Sequence, residues 1–215
     1  MNLLRLNKNC YPVYWEHNFL SDKEIQKILE YSSITSSVNA EIGNSNLENK
    51  KKIFDSDFHI KDTNLGYVPR ERQSTIKWIK LNEETNWLYK KIIQQIHKVN
   101  QENFDYILKF VEDLQFAEYN ENQKGFYSKH NDCGNKDDIE NFVDVRKISF
   151  SIQLSDESEY EGGDLIFYMN GRKKIAPKSK GTIIFFKSDV VHEVKPVKTG
   201  IRYSLVSWVN GPNLK

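Results

Sequence analysis

The sequence predicts a mainly β domain with helical support (α+β), in which a strongly curved sheet carries a polar pocket on one side and helices on the other. Three observations lead there. Helical signals concentrate in the first hundred residues; alternation of β-branched and aromatic residues with period two takes over from about residue 105; and the clearest strand has one apolar and one polar face. In that strand Ile148, Phe150, Ile152 and Leu154 share one side while Ser149, Ser151 and Gln153 share the other, so it lies between an apolar layer and something polar.

In chain order, Ser21-Asp22-Lys23-Glu24 is a capping box, followed by Ile25, Ile28 and Leu29 at helical spacing, which predicts a helix from about 22 to 32. A longer helix starts after Asn82, with Glu83 and Glu84 in its first turn and Leu88, Ile92, Ile96 and Val99 repeating along one face. Between them, residues 34–72 are rich in Asn, Ser and Lys, which suits a mobile lid. Predicted strands then run over 113–119, 125–132, 146–154, 163–169, 181–187, 190–197 and 201–209, with a turn at Glu161-Gly162-Gly163-Asp164 and an acidic loop over 133–145. No linker or repeat divides the chain, so residues 1–215 read as one domain: support and lid over about 1–104, the β core over about 105–211.

The composition excludes several classes of function. The 31 Lys and Arg balance 30 Asp and Glu, and a net charge of +1 argues against a general nucleic-acid or anionic-membrane binder. No apolar run is long enough for a bilayer, and the N-terminal stretch is broken by Arg5, Asn7, Lys8 and Asn9, so it reads as neither signal peptide nor anchor. Two cysteines, Cys10 and Cys133, make no disulfide framework. The expected setting is the cytoplasm, or a host's cytoplasm if the Lys-, Asn- and Ile-heavy usage is viral.

His130 and Asp132 are one residue apart on a predicted strand, which places both on one face, and His192 lies on another strand of the same curved sheet. Two imidazoles and one carboxylate leave adjacent positions open on a metal, an arrangement suited to non-heme Fe(II). An H-x-D tripeptide alone is a weak motif. Zinc is a second reading because Cys133 adjoins the pair, but on an extended strand Cys133 points away from Asp132. Arg202, ten residues after His192, shares a strand face with Ser204, and a guanidinium beside a hydroxyl inside a pocket forms a fork for a carboxylate. A metal and a carboxylate site explain each other if one acid occupies both.

The run Tyr119…His130-Asn131-Asp132, followed by RKISFSIQLSD, EGGDLIFY and GTIIFFKSDVVHEVKPVKTGIRYSLVSW, resembles the iron- and 2-oxoglutarate-dependent dioxygenases and, within them, the prolyl 4-hydroxylase-like group. The resemblance covers about residues 110–210 and implies a double-stranded β-helix, a jelly-roll barrel open at one end. It implies His130, Asp132 and His192 as iron ligands and Arg202 as the partner of the distal carboxylate of 2-oxoglutarate. Tyr119 matches a tyrosine lining the co-substrate pocket, and Trp208 a tryptophan near the metal. At Gln153 similar prolyl hydroxylases carry a tyrosine that donates to this carboxylate, so the contact falls here to Gln153, Ser204, Tyr119 or Tyr127; the aromatic residues would serve equally as core packing. The implied cofactors are Fe(II), 2-oxoglutarate, O2 and ascorbate, and the implied reaction hydroxylates a substrate with release of succinate and CO2. The expected substrate is a proline within a peptide or protein; the alternatives are a free amino acid or other small molecule, and a non-catalytic binding module. The segments 34–72 and 133–145 differ in charge, Lys50, Lys51 and Lys52 in one against Asp137, Asp138 and Glu140 in the other, which suits either a cradle for an extended peptide or a pair of solvated loops.

Overall fold

The computed structural model describes residues 12–36, 38–39, 71–133 and 144–213. Helix α1, Asp22–Ile34, begins at the predicted capping box: the Ser21 N–H donates to the Glu24 carboxylate at 2.8 Å, and the Glu24 N–H to the Ser21 hydroxyl at 3.4 Å. Helix α2, Asn86–Val99, starts later than its acidic signal suggested. The Asn82 side chain accepts the Glu84 and Thr85 N–H groups at 2.9 and 3.1 Å, which holds residues 82–85 in a turn and leaves Glu83 and Glu84 ahead of the helix. A five-residue π-helical turn, Asn100–Phe104, extends α2, and Asp105 ends it in the left-handed region at φ 58°. Lys91 of α2 pairs with Glu24 of α1 at 2.6 Å.

The strands are β1 Val13–Glu16, β2 Val38–Asn39, β3 Arg72–Gln73, β4 Thr75–Ile79, β5 Phe110–Val111, β6 Leu114–Asn120, β7 Phe126–His130, β8 Asp144–Gln153, β9 Tyr160–Gly162, β10 Leu165–Met169, β11 Arg172–Ile175, β12 Ile183–Lys187, β13 Val191–Val194 and β14 Val197–Pro212. Among the described residues they form two sheets. The larger runs β1-β12-β8-β14-β6-β4-β2, with β5 and β9 also on β14; the smaller runs β11-β10-β13-β7-β3. This is a jelly-roll sandwich rather than a closed barrel. Each predicted strand has a counterpart; the segment over 163–169 is β10, and β9 forms just before it, overlapping the first two residues of the predicted Glu161–Asp164 turn. Most of the predicted 34–72 lid and of the 133–145 loop lies outside the described residues, and the lid's last residue falls in β3.

The two-faced strand organises the core. Ile148, Phe150, Ile152 and Leu154 of β8 and the segment just after it pack with Phe116, Phe185, Ile25, Ile28, Leu88, Ile92 and Ile96 into a cluster between the large sheet and the helices. The opposite faces of these strands supply Ala117, Tyr119, Ile184 and Phe186 to a second cluster between the sheets, with Phe167 and Val194 from the smaller one. Burial of apolar side chains on the helix side thus leaves the polar face of β8 looking into the sandwich, where the site lies.

Candidate metal centre and carboxylate pocket

His130 closes β7 and His192 sits directly across from it on β13, so antiparallel pairing sets the two imidazoles side by side with ring centroids 4.2 Å apart. Asp132 arrives differently from the expectation of a shared strand face. β7 ends at His130, and the following bend carries Asp132 to the cluster, where its N–H donates to the Ser188 carbonyl at 2.8 Å. Ser188 is itself tied to β8 by the contact between its hydroxyl and that of Ser149, 3.0 Å apart.

Each imidazole donates from Nδ1 to a backbone carbonyl, His130 to Ser128 at 2.7 Å and His192 to Val190 at 3.0 Å. A carbonyl can only accept, so Nδ1 carries the proton and Nε2 keeps its lone pair free. Both Nε2 atoms lie 3.7 Å from an Asp132 carboxylate oxygen, and the three ligand atoms fall within 4.8 Å of one another. Burial, reinforced by the neighbouring His192, pulls the His130 imidazole down to about 4, which keeps it neutral and ready to ligate at pH 7. Tyr127 stacks on His130 at 3.5 Å and Phe186 meets His192 edge-on at 4.6 Å, closing the flanks of the cluster with apolar surface. Burial pushes the Tyr127 phenol up to about 12. Cys133 is not among the clustered ligands, and burial raises its thiol to about 11.

Along the same inner face, Arg202 is only 1% exposed. Its Nη2 donates to the Gln153 carbonyl oxygen at 2.9 Å and its Nη1 to the Ser204 hydroxyl at 3.4 Å; its centre lies 5.4 Å from the Tyr119 ring, and Nε–H has no hydrogen-bond partner among the described residues. No described carboxylate pairs with it. Gln153 is held in turn by donating to the Pro177 carbonyl at 3.0 Å, so its amide nitrogen is engaged and its oxygen faces Arg202. Gly163, at φ 60°, lets the backbone pass beside the guanidinium stem, since a Cβ there would lie 3.0 Å from Arg202 Cδ. Short side chains follow in register beside this group, Ser204 opposite Ala117 and Gln153, and Ser151 two residues from Gln153 along β8. A buried cation with no counter-ion among the described residues, inside the same sandwich as three metal-type ligands, fits a dicarboxylate that also chelates a metal.

Tyr119 and Ser204 therefore sit with Arg202, Tyr127 sits on the metal cluster, and Gln153 sits behind the guanidinium. Trp208 lies opposite Ser149, six residues and about 20 Å of strand from Arg202, and its ring stacks under Arg146 at 3.9 Å. Arg146 itself escaped the sequence reading. Strict alternation puts it with Ile148 on the helix side, but β8 and β14 slip register between Val209 and Asn210: Val209 faces Ile148 and Asn210 faces Arg146, leaving Lys147 as an extra residue. This bulge turns Arg146 inward. Glu112 then fixes it with two hydrogen bonds of 2.7 and 2.6 Å. Arg72 was missed because β3 is only two residues long; it lies 4.8 Å over the Tyr127 ring and donates to Gln115 at 2.9 Å.

The family profile described as 2OG-Fe(II) oxygenase superfamily matches residues 114–210, which run from β6 into β14 and include His130, Asp132, His192 and Arg202. Over these residues, a little under half of the chain, the sequence is similar to the 2OG-Fe(II) oxygenases. A PKHD-type hydroxylase of Synechococcus sp. strain CC9902 is 39% identical over 64 residues, 30% of this chain and 29% of that protein, so this chain matches well under half of that relative's length. The fold extends further. A Pseudomonas putida prolyl-4-hydroxylase superposes with a TM-score of 0.64 at 20% identity, covering 93% of this chain and 92% of that one. A Trichoplax adhaerens prolyl hydroxylase, solved with a hypoxia inducible factor oxygen degradation domain peptide fragment, gives 0.67 at 20% identity over 92% and 83%. These likenesses establish a shared architecture. Among the described residues no helix is long and apolar enough to cross a membrane.

Proposed function

We propose that the protein is an Fe(II)- and 2-oxoglutarate-dependent dioxygenase that hydroxylates a prolyl residue in a peptide or protein. The observation that carries the chemistry is the pairing of a His-Asp-His cluster with a buried guanidinium that meets no carboxylate among the described residues. His130, Asp132 and His192 would hold the iron, and Arg202 the far carboxylate of 2-oxoglutarate. With O2 the bound pair supplies an oxidative decarboxylation that yields succinate, CO2 and a hydroxylated substrate. The chain's own residues bind, orient and exclude water: Tyr127, Phe186 and Phe167 wall the cluster, and Gln153 and Ser204 fix the guanidinium.

A peptide substrate is favoured by the rim around Tyr127. Arg72 lies over that ring, and Arg146, held by Glu112, lies over Trp208. Two fixed guanidinium groups offer donors suited to main-chain carbonyls, and Trp208 and Tyr127 offer flat surfaces for a pyrrolidine ring. The similar solved structures include prolyl hydroxylases, one of them holding a peptide.

The test incubates the protein with Fe(II), 2-oxoglutarate, ascorbate and a library of proline-containing peptides, following succinate and peptide mass together. A product heavier by one oxygen, formed in step with succinate, is the expected result. Efficient hydroxylation of free proline or another small molecule, with peptides untouched, would move the reading to a small-molecule oxygenase. Absence of succinate under every condition would leave only a binding module.

A further inference from the structure

We propose that Ser151 is a co-substrate contact whose hydroxyl, sealed in the sandwich, hydrogen-bonds the dicarboxylate lying between the metal ligands and Arg202. The inference rests on the proposed function and adds a binding residue that neither the motif nor the strand pattern singled out.

Ser151 is 3% exposed, and its Oγ has no hydrogen-bond partner among the described residues. Buried hydroxyls nearly always find one, because leaving water without a new bond costs free energy. Its strand neighbours cannot supply it: Ser151 pairs with Ile184 on one side and Val206 on the other, both apolar. Among the described residues only two other buried side-chain atoms lack a hydrogen bond. One is Asp144 Oδ1, which has the Lys109 ammonium 2.7 Å away; the other is Arg202 Nε. Two unmet donors therefore lie on the neighbouring strands β8 and β14, two residues either way from the paired Gln153 and Ser204.

The position of Ser151 along β8 gives the pair its meaning. Two residues one way is Ser149, which supports Asp132 through Ser188; two residues the other way is Gln153, which holds Arg202. At about 3.3 Å per residue the strand places Ser151 midway along the polar face that joins the two ends of the site. A ligand that satisfies both orphaned donors must present oxygen acceptors along its length, as a dicarboxylate does and a compact anion does not. The Ser151 hydroxyl would thus make the middle of the site specific for an acid that spans it.

The experiment compares the full chain with its Ser151→Ala variant, anaerobically and loaded with Fe(II), by thermal unfolding without co-substrate and by calorimetric titration with 2-oxoglutarate. Without co-substrate the variant should unfold at the parent temperature or above, because an unpaired hydroxyl has been removed. Its Kd for 2-oxoglutarate should rise about tenfold, the cost of a hydrogen bond to a charged acceptor. Ser151→Thr, which keeps the hydroxyl, should bind more tightly than Ser151→Ala. Equal Kd values for parent and Ser151→Ala would overturn the inference and leave the proposed function standing. A lower unfolding temperature for Ser151→Ala without co-substrate would also overturn it, since the hydroxyl would then have a structural partner. Failure of the parent itself to bind 2-oxoglutarate would overturn the proposed function and the inference with it.

Discussion

Arg202 carries its charge in a place where water does not reach it, and only a neutral carbonyl and a hydroxyl of the protein meet its guanidinium. A charge so placed awaits an anion. Arg202→Ala should therefore raise the Kd for 2-oxoglutarate by about one to two powers of ten, the loss of about 1.5–3 kcal/mol expected for a charge-assisted bond. Arg202→Lys should recover part of this, keeping the charge but losing the fork; titration calorimetry on the Fe(II)-loaded variants reads both. His130 gives a pH prediction of definite sign. Its pKa is pulled from 6.5 to about 4 on folding, so the unfolded chain binds the proton more readily. The contribution to stability is complete above pH 6.5 and falls away as pH drops toward 4, so denaturant unfolding of the metal-free protein should show stability declining through that window, less steeply in His130→Asn. At this scale the sequence was most legible, though not in every detail: His130 and His192 meet across paired strands and Arg202 lies buried beside Ser204, whereas Asp132 reaches the cluster through a bend after β7 and not through the strand phase its spacing suggested.

Secondary-structure elements explain what spacing alone did not show. Strand phase correctly predicted that Ile148, Phe150 and Ile152 face an apolar layer, yet the same rule fails two residues before Ile148, at Arg146. The cause is the extra residue at Lys147, and a bulge of this kind has no reliable sequence signature. The EGGD turn was read as a turn; its second function is visible only in three dimensions. Gly163 combines φ 60° with a 3.0 Å approach of a would-be Cβ to the Arg202 stem. Gly163→Ala should accordingly cost about 1–3 kcal/mol in chemical denaturation and weaken 2-oxoglutarate binding at the same time, through displacement of Arg202. Loss of stability with unchanged binding would detach this turn from the pocket.

Across the whole molecule, a helical layer holds one face of the large sheet flat against a dry core, and the site occupies the opposite face. The helices were legible from capping and periodicity, whereas β1, β4 and β11 were not, since they carry no strict alternation and gain their order from pairing with β12, β6 and β10. The layering predicts a separation of roles. Ile92 is fully buried beneath the sheet, so Ile92→Ala should destabilise the fold by about 2–5 kcal/mol, measured by denaturant unfolding, while the folded protein retains its affinity for Fe(II). The central claim, that the His-Asp-His cluster and Arg202 form one site for a metal-chelating diacid, is tested most directly by anaerobic titration of the Fe(II)-loaded protein with 2-oxoglutarate, following the visible charge-transfer band of a 2-oxo acid bound to ferrous iron. The account predicts a saturable band at one equivalent of iron per chain, shifted to higher 2-oxoglutarate in Arg202→Ala and lost in His192→Ala; a band indifferent to both substitutions, or none in the parent protein, would contradict it.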